Sequence, residues 1–346
     1  MIVFVVILGL ITLQGIRIRK DTPLLSKEMT TAVNGIFAIC IFLTHCSEYI
    51  LISQSMGDTL YRHFQNFHNQ WIVAGFLAFS GYGVMSQLQK KGKVYLREYP
   101  KIRLAKTIFN FDIAVLLYLL MNGILSIKYS VMDIAGSFVG ITSVGNSNWY
   151  IFAVLVMYVL SYICARIFKE DKIAQAVGVT LGTIVYIAVM QLAGMPSRFI
   201  STILCYSAGV WICVYKDRIL YLFKKHRVVS IVAILFILVS TYKLRYNDYI
   251  MNISSIVFVF AIVYFNVFCE IKSRILQFVG RHAFSIYILQ RIPMTIFSYY
   301  GILEEYKYVF VIVTFSITVL VSILFDYLIE KMDKVLFVRR GVKDVI

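Results

Sequence analysis

Residues 308–325 read YVFVIVTFSITVLVSILF, eighteen residues without one charged side chain. An α-helix of this length is about 27 Å long, close to the roughly 30 Å of a bilayer's hydrocarbon core. Similar apolar stretches recur along all 346 residues, of which 60% are hydrophobic and 15% are charged. A soluble domain usually has about 25% charged residues. The composition therefore predicts an all-α, polytopic membrane protein.

About eleven such stretches divide the chain, and the hydrophilic segments between them are short. We find no internal repeat, no low-complexity tract and only four prolines. We therefore predict one membrane-embedded helical bundle without a soluble catalytic module. The spans are placed near residues 1–15, 31–52, 69–88, 107–127, 148–165, 173–195, 199–215, 228–242, 249–269, 275–300 and 306–328.

The positive charges show a clear distribution around these spans. With the N-terminus outside, the predicted cytosolic segments contain 26 Lys and Arg residues and the outer segments contain six. Cytosolic loops of membrane proteins carry such an excess, so the pattern predicts an N-out, C-in orientation. It also accounts for the formal net charge of +16 without a nucleic-acid partner.

The predicted membrane domain occupies residues 27–328. Residues 1–26 are predicted to form an extra N-terminal helix and a cytosolic linker, and residues 329–346 a basic cytosolic tail. Met1–Gln14 has no basic residue before its apolar stretch, which favours a membrane helix over a signal peptide. The six cysteines lie in apolar spans without a CxxC pair, so we expect packing residues and neither disulfides nor a metal site.

The second predicted span contains His45, eleven residues after Asn34. Nine of the ten intervening residues are apolar or glycine. An ionisable side chain in hydrocarbon costs about 3 kcal/mol or more unless it is paired or hydrated, so His45 is a functional candidate. Histidine suits general acid–base catalysis because its ordinary pKa lies near neutrality. The alternative is a packing histidine bonded to a backbone carbonyl.

Two neighbours of His45 on the same helix bear on its role. Eleven residues at about 100° each place Asn34 within about 20° of the face of His45 and about 16 Å closer to the cytosol. Glu48, one turn further out, either orients the imidazole or marks the outer rim of the helix. The rim is the favoured interpretation.

The predicted cytosolic loop after the third span is strongly basic. Lys90, Lys91 and Lys93 are expected to determine topology and to contact anionic lipid. Arg103 and Lys106 differ, because they stand one turn apart on one face at a helix entrance. Such a pair is suited to phosphate recognition.

Polar and aromatic residues also cluster in three other segments, Phe79–Tyr82, Asn148–Tyr150 and Gly280–Arg291. Trp149 and Tyr150 either belong to a site or are ordinary interfacial aromatics. Arg291 lies well inside a predicted span and therefore needs an acidic or carbonyl partner. Candidate partners for its guanidinium are the two acidic residues Asp112 and Asp326.

Taken in order, these segments resemble the acyltransferase-3 family of integral membrane O-acyltransferases, which modify bacterial glycans. The family's first motif, a basic residue followed by ten mostly apolar residues and a histidine, is similar to Asn34–His45. An aromatic-rich stretch ending in Ser-Gly-Tyr is similar to Phe76–Tyr82, and a later Arg-x-x-Arg to Arg103–Lys106. A Trp-aromatic pair is similar to Trp149–Tyr150, and a late Ser-x-Tyr segment to His282–Tyr287.

The resemblance covers roughly residues 27–328 and has two departures. Asn34 stands where the family has Arg or Lys, and Lys106 stands where it has a second Arg. The first departure removes a positive charge from the motif that ends in the histidine. Asparagine can still donate a hydrogen bond to a carbonyl or a phosphate.

The resemblance implies an enzyme of the bacterial plasma membrane that transfers an acetyl group from cytosolic acetyl-CoA to a hydroxyl of a surface or lipid-linked glycan. It implies no permanently bound cofactor, and membrane lipids as neighbours. His45 would be the general base, Asn34 a second catalytic residue, and Arg103 and Lys106 the ligands of the donor phosphates. A substrate pocket would include Ser80, Tyr82, Trp149, Tyr150, His282, Ser285, Tyr287 and Arg291.

Two other functions use the same features. A flippase or transporter of lipid-linked glycans would also contain embedded Arg and His residues and a cationic inner mouth. The lack of a detectable repeat weighs against it, because many transporters consist of repeated halves. A non-catalytic member of the same fold is the third interpretation, since Asn34 lacks the family's charge.

Overall fold

The computed structural model describes residues 1–18, 23–68, 70–303 and 305–336. In these residues the chain forms sixteen α-helices, two short strands, one π-helical turn and one 3₁₀ turn. The helices are α1 (Ile2–Gly15), α2 (Lys27–Cys46), α3 (Met56–His68), α4 (Trp71–Tyr99), α5 (Lys106–Ile124), α6 (Val131–Ser137), α7 (Trp149–Phe168), α8 (Lys172–Leu192), α9 (Leu204–Val214), α10 (Lys216–Lys225), α11 (Arg227–Tyr242), α12 (Asp248–Phe268), α13 (Arg274–Arg281), α14 (Ala283–Leu289), α15 (Arg291–Tyr299) and α16 (Lys307–Leu336).

Seven helical stretches in the described residues are long and apolar enough to cross a membrane. They confirm the predicted class, a helical membrane bundle, whereas the count of eleven spans and the orientation remain predictions. Two further apolar helices, α1 and α11, are shorter. The seven stretches are Lys27–Cys46, Met56–Ile124, Trp149–Phe168, Lys172–Leu192, Ser197–Val214, Asp248–Phe268 and Lys307–Val335.

The helical stretch predicted near 275–300 is not continuous. It is divided into α13, α14 and α15, with breaks at His282 and Gln290. Pro293 explains the second break, because proline lacks an N–H and its ring clashes with the carbonyl four residues earlier, here that of Leu289. Within the first turn of α15 the same proline is tolerated.

Two segments expected to be loops form amphipathic helices. In α10 the apolar Phe223 is buried while the lysines at the helix end are exposed, as in a helix that lies along a membrane surface. In α3 the buried hydroxyl of Tyr61 donates to the carbonyl oxygen of Leu43, 2.7 Å away. The buried carboxylate of Asp58 accepts from Lys307 at 2.6 Å, which links α3 to α16.

The two strands, β1 (Ile16–Ile18) and β2 (Cys269–Ile271), pair antiparallel, with Arg17 opposite Glu270. This sheet connects the end of α1 to the chain after α12. The proposed boundaries at residues 26 and 328 remain predictions, and the end of the basic tail, residues 337–346, lies outside the described residues.

Apolar side chains occupy both the interior and the outer surface of the bundle. The largest buried cluster brings together α4, α7, α8, α9 and α12. Large apolar residues also face outward, among them Phe236, 70% exposed, and Leu320, 65% exposed. An outer surface of this kind is typical of helices in contact with lipid.

Glycines allow two pairs of helices to approach closely. On α4 and α9, a Cβ at Gly81 would overlap the carbonyl oxygen of Tyr206, and a Cβ at Gly209 would overlap that of Ala78. On α2 and α13, a Cβ at Gly280 would overlap the carbonyl oxygen of Thr31. Small residues that let backbones approach are a general means of packing membrane helices.

Gly209→Ala should therefore destabilise the protein. We expect a loss of about 1–3 kcal/mol from overpacking against Ala78, larger than alanine's gain in helix propensity. The measurement is thermal unfolding of the purified protein in detergent. Gly83→Ala on α4 is the matched control, because nothing lies within 4 Å of a Cβ there. Equal stability of the two variants would contradict the packing described.

Candidate functional site

A cavity of about 550 Å³ lies between α2, α4, α7 and the broken helix α13–α14. Along α2 it extends from Ser26 to Ile41, which corresponds to about 22 Å of helix. It unites residues that are far apart in the sequence. Six of the predicted site residues line it: Asn34, Ser80, Tyr82, Arg103, Tyr150 and Tyr287.

Packing determines which face of α2 reaches this cavity. Gly35 lies against the backbone of Leu276 on α13, so that side of α2 is buried. Lys27, Thr30, Asn34 and Ile41 lie at helical spacing on another face and line the cavity. Asn34 therefore faces the cavity, and its role in a site remains a prediction.

Three cations contribute to the cavity wall, Lys27, Arg103 and Arg281. Lys27 and Arg281 are exposed, and Arg103 is partly buried. Polar side chains of Ser26, Ser86 and Gln87 lie among them. Fixed positive charge in a partly enclosed site attracts anionic ligands.

Arg103 is held by tyrosines. Its Nε donates to the hydroxyl of Tyr95 at 2.8 Å, and its guanidinium lies 5.7 Å from the ring centre of Tyr158. Tyr99 packs against Tyr95 and Tyr158, and its ring stacks on Tyr162. Sequence reasoning missed these tyrosines, although two pairs at a spacing of four residues on α4 and α7 are a detectable signal.

Lys106 does not reach the cavity. Its ammonium pairs with Asp333 of α16, so the expectation that it lies beside Arg103 on one face is corrected. The cause is the π-helical turn Pro100–Ala105 before α5. A π-turn takes more residues than an α-turn, so residues three apart point in more divergent directions.

Two polar atoms at the cavity wall lack a hydrogen bond of normal geometry to any described residue. They are Oδ1 of Asn34 and the hydroxyl of Tyr287, both buried. Leaving a buried polar atom without a hydrogen bond costs about 1–3 kcal/mol, so such atoms are usually satisfied by water or a ligand. The hydroxyls of Ser80 and Tyr150 lie 3.5 Å apart on the same wall.

His45 lies beyond the cavity rather than in its wall, one helical turn after Ile41. The ring is close to Gln290 and Arg291, at the break between α14 and α15. Its Nδ1 and the Oε1 of Gln290 are buried without a hydrogen bond of normal geometry to any described residue. The site therefore has two parts, the cavity and the group around His45.

Arg291 pairs with Glu48. The two guanidinium nitrogens lie 2.8 and 2.9 Å from the carboxylate oxygens, a bidentate arrangement, and one of them lies 3.4 Å from the hydroxyl of Tyr49. The expectation that Asp112 or Asp326 is the partner is thus wrong. Glu48 is half exposed, but it holds a partly buried arginine next to His45, which is more than the rim position expected for it.

The remaining predicted residues lie outside the cavity wall. His282 and Ser285 both contact the carboxylate of Asp326, across from α14 to α16. Trp149 packs on Phe199 as part of the largest apolar cluster. In the described part of the chain, no three His, Cys, Asp or Glu side chains are arranged to hold a metal ion.

Chemically, the arrangement offers a cationic cavity for an anionic group and a histidine one turn past its end. At the cavity wall, Oδ1 of Asn34 and the hydroxyl of Tyr287 lack hydrogen bonds of normal geometry to described residues. No family model, no curated protein and no solved structure matches this chain. The site geometry and the sequence motifs are therefore what supports a function.

Proposed function

We propose that this chain is a membrane O-acyltransferase similar to the acyltransferase-3 family, transferring an acetyl group from acetyl-CoA to a glycan hydroxyl. One observation carries the proposal. Asn34, Ser80, Arg103, Tyr150 and Tyr287, which the family motifs single out, line one cavity. Side chains from five separate segments converge there, as a ligand site requires.

The proposed topology has about eleven spans, with the N-terminus outside and the C-terminus in the cytosol of a bacterium. The excess of Lys and Arg in the predicted cytosolic segments supports it. Lys27 and Arg103 belong to those segments, so the cationic part of the cavity opens on the cytosolic side. A soluble, anionic donor would enter from there.

Arg103 is the proposed ligand of the donor phosphates. Its hydrogen bond to Tyr95 and its position over Tyr158 fix the guanidinium at the cavity wall. A guanidinium binds phosphate through paired hydrogen bonds. Lys27 and Arg281 would add charge, whereas Lys106 is committed to Asp333.

The pantetheine arm of the donor would extend along α2 and bring the acetyl thioester toward His45. The eleven residues from Asn34 to His45 correspond to about 16 Å, of the order of an extended pantetheine arm. Asn34 would then contact the donor near the middle of the cavity. The unpartnered Oδ1 of Asn34 is suited to accept from an amide N–H of that arm.

In the proposed reaction His45 removes the proton from the glycan hydroxyl. The hydroxyl oxygen attacks the thioester carbonyl, and the C–S bond of the tetrahedral intermediate breaks. The thiolate of CoA takes the proton from the imidazolium, which leaves an O-acetyl ester and CoA. Tyr287, one turn before Gln290, has a free hydroxyl to stabilise the oxyanion.

Thiol labelling tests the proposed orientation. Val94→Cys in the basic loop should resist an impermeant reagent added to intact cells, whereas Asn66→Cys should react. Both positions are exposed in the structure, so accessibility depends on the side of the membrane. Labelling of Val94→Cys from outside would overturn the orientation.

Donor affinity tests the role of Arg103. Arg103→Ala should weaken acetyl-CoA binding about tenfold or more, because a charge-assisted hydrogen bond contributes about 1.5–3 kcal/mol. Lys106→Ala is the control: it removes the same charge one turn away, but its ammonium pairs with Asp333, so the affinity should be unchanged. Calorimetry on the purified proteins measures both. Unchanged affinity in Arg103→Ala would remove that residue from the site.

Turnover tests the role of His45. His45→Ala should lower acetyl transfer by at least about a hundredfold while donor affinity is retained, because general-base catalysis contributes about 10²–10⁴. Asn34→Ala should act mainly by weakening donor binding, and Asn34→Arg, which restores the family pattern, should be tolerated. Full activity in His45→Ala would contradict the enzymatic proposal and favour a transporter.

A further inference from the structure

A second cavity of about 1160 Å³ lies between α4, α7 and the start of α8. It is on the opposite face of α4 from the first cavity. Tyr99 separates the two: it packs against Tyr158, which lines the first cavity, and stacks on Tyr162, which lines the second. A ligand in the second cavity would therefore not occupy the proposed donor site.

The rim of this cavity is strongly cationic. Against one acidic residue, Glu170, it carries five basic side chains, all exposed: Lys93, Arg97, Arg166, Lys169 and Lys172. Three of these come from the predicted cytosolic segment 166–172, where α7 ends and α8 begins, and two from the last part of α4. Concentrated positive charge on the predicted cytosolic side of the membrane attracts the phosphates of anionic lipids or of soluble metabolites.

The floor of the cavity is apolar. Met85, Leu88, Leu96 and Ala165 line it. Met85 and Leu88 precede the basic residues of α4, and Ala165 precedes those of the segment 166–172. A lining that is apolar inside and cationic at the rim matches the two ends of a phospholipid. A free phosphate ester would use the rim alone.

The backbone is shaped around this cavity. Gly92 has φ +49° and interrupts α4, although nothing would obstruct a Cβ there. Lys169 also has positive φ, +50°, where α7 ends. A positive φ is unfavourable for lysine, so contacts with the rest of the structure must stabilise this backbone conformation of Lys169. Both interruptions turn basic side chains toward the same space.

A buried acceptor points to a ligand with a hydrogen-bond donor. Gln175 lines the cavity and is only 5% exposed. Its amide nitrogen donates to the carbonyl oxygen of Lys169, but its Oε1 has no partner among the residues described here. A hydroxyl beside a phosphate would satisfy that oxygen while the phosphate meets the cations.

We propose that this second cavity binds a phosphate ester that carries a hydroxyl, such as the glycerol phosphate headgroup of an anionic lipid. The phosphate lies among Arg166, Lys169 and Lys172, the hydroxyl donates to Gln175, and lipid chains lie along the apolar floor. The proposal does not depend on acyl transfer, because its residues are separate from the first cavity.

Native mass spectrometry of the full chain in detergent tests this site. Phosphatidylglycerol is titrated against the wild type and against Arg166→Gln/Lys172→Gln. Each cation near a lipid phosphate contributes substantially to binding, so the double variant should bind about tenfold more weakly. Phosphatidylcholine, which has no net charge and no headgroup hydroxyl, should bind both proteins weakly and equally.

Lys90→Gln/Lys91→Gln is the matched control, since it removes two exposed charges of α4, near the rim residue Lys93, that do not line the cavity. It should change the affinity less than threefold. Displacement of the lipid by millimolar glycerol 3-phosphate would support the site and show that a soluble ester also fills it; no displacement would support the site with lipid as the source. Equal loss in the two double variants, or no loss in Arg166→Gln/Lys172→Gln, would overturn the proposal.

Discussion

The close approach of helices at glycine is the constraint on which the first cavity depends. Gly280 allows α13 to lie directly on α2, and Gly81 and Gly209 do the same for α4 and α9. In lipid, helix association relies on such packing, because burying apolar side chains gains little over leaving them in hydrocarbon. With one side of α2 and of α4 committed in this way, the cavity remains on their other sides. A bulkier residue at these positions would move the walls that carry Asn34 and Ser80.

Polar groups are distributed around this cavity in two ways. At its margins they are paired, as Arg291 is with Glu48 and Lys106 with Asp333. Along its path, four buried atoms lack a hydrogen bond of normal geometry to any described residue: Oδ1 of Asn34, the hydroxyl of Tyr287, Oε1 of Gln290 and Nδ1 of His45. Ion pairing lowers the free-energy cost of placing a charged side chain inside a membrane. The contrast between paired margins and these unsatisfied atoms supports the proposal of a ligand site over simple packing.

Much of the fold could be predicted because bilayer thickness and backbone hydrogen bonding restrict a membrane chain to long apolar helices. Relations within one helix were also predictable, because the helical periodicity gives the angle and distance between Asn34 and His45 on α2. Partners on different helices were not, because periodicity does not tell which neighbour a side chain meets. Arg291 thus pairs with Glu48, which had been placed at the rim. Lys106 and Arg103 are separated by a π-helical turn, which we could not predict from the sequence.

The central claim is that the first cavity receives acetyl-CoA from the cytosol. Ser86 lines that cavity. Five of the six cysteines are buried, and Cys269 is partly exposed. In a Cys269→Ser background, the labelling rate of Ser86→Cys is measured in inside-out vesicles with and without acetyl-CoA, with Lys90→Cys as the exposed control. We predict that acetyl-CoA slows labelling of Ser86→Cys severalfold and leaves Lys90→Cys unchanged. Labelling of Ser86→Cys at the same rate with saturating acetyl-CoA would contradict the claim.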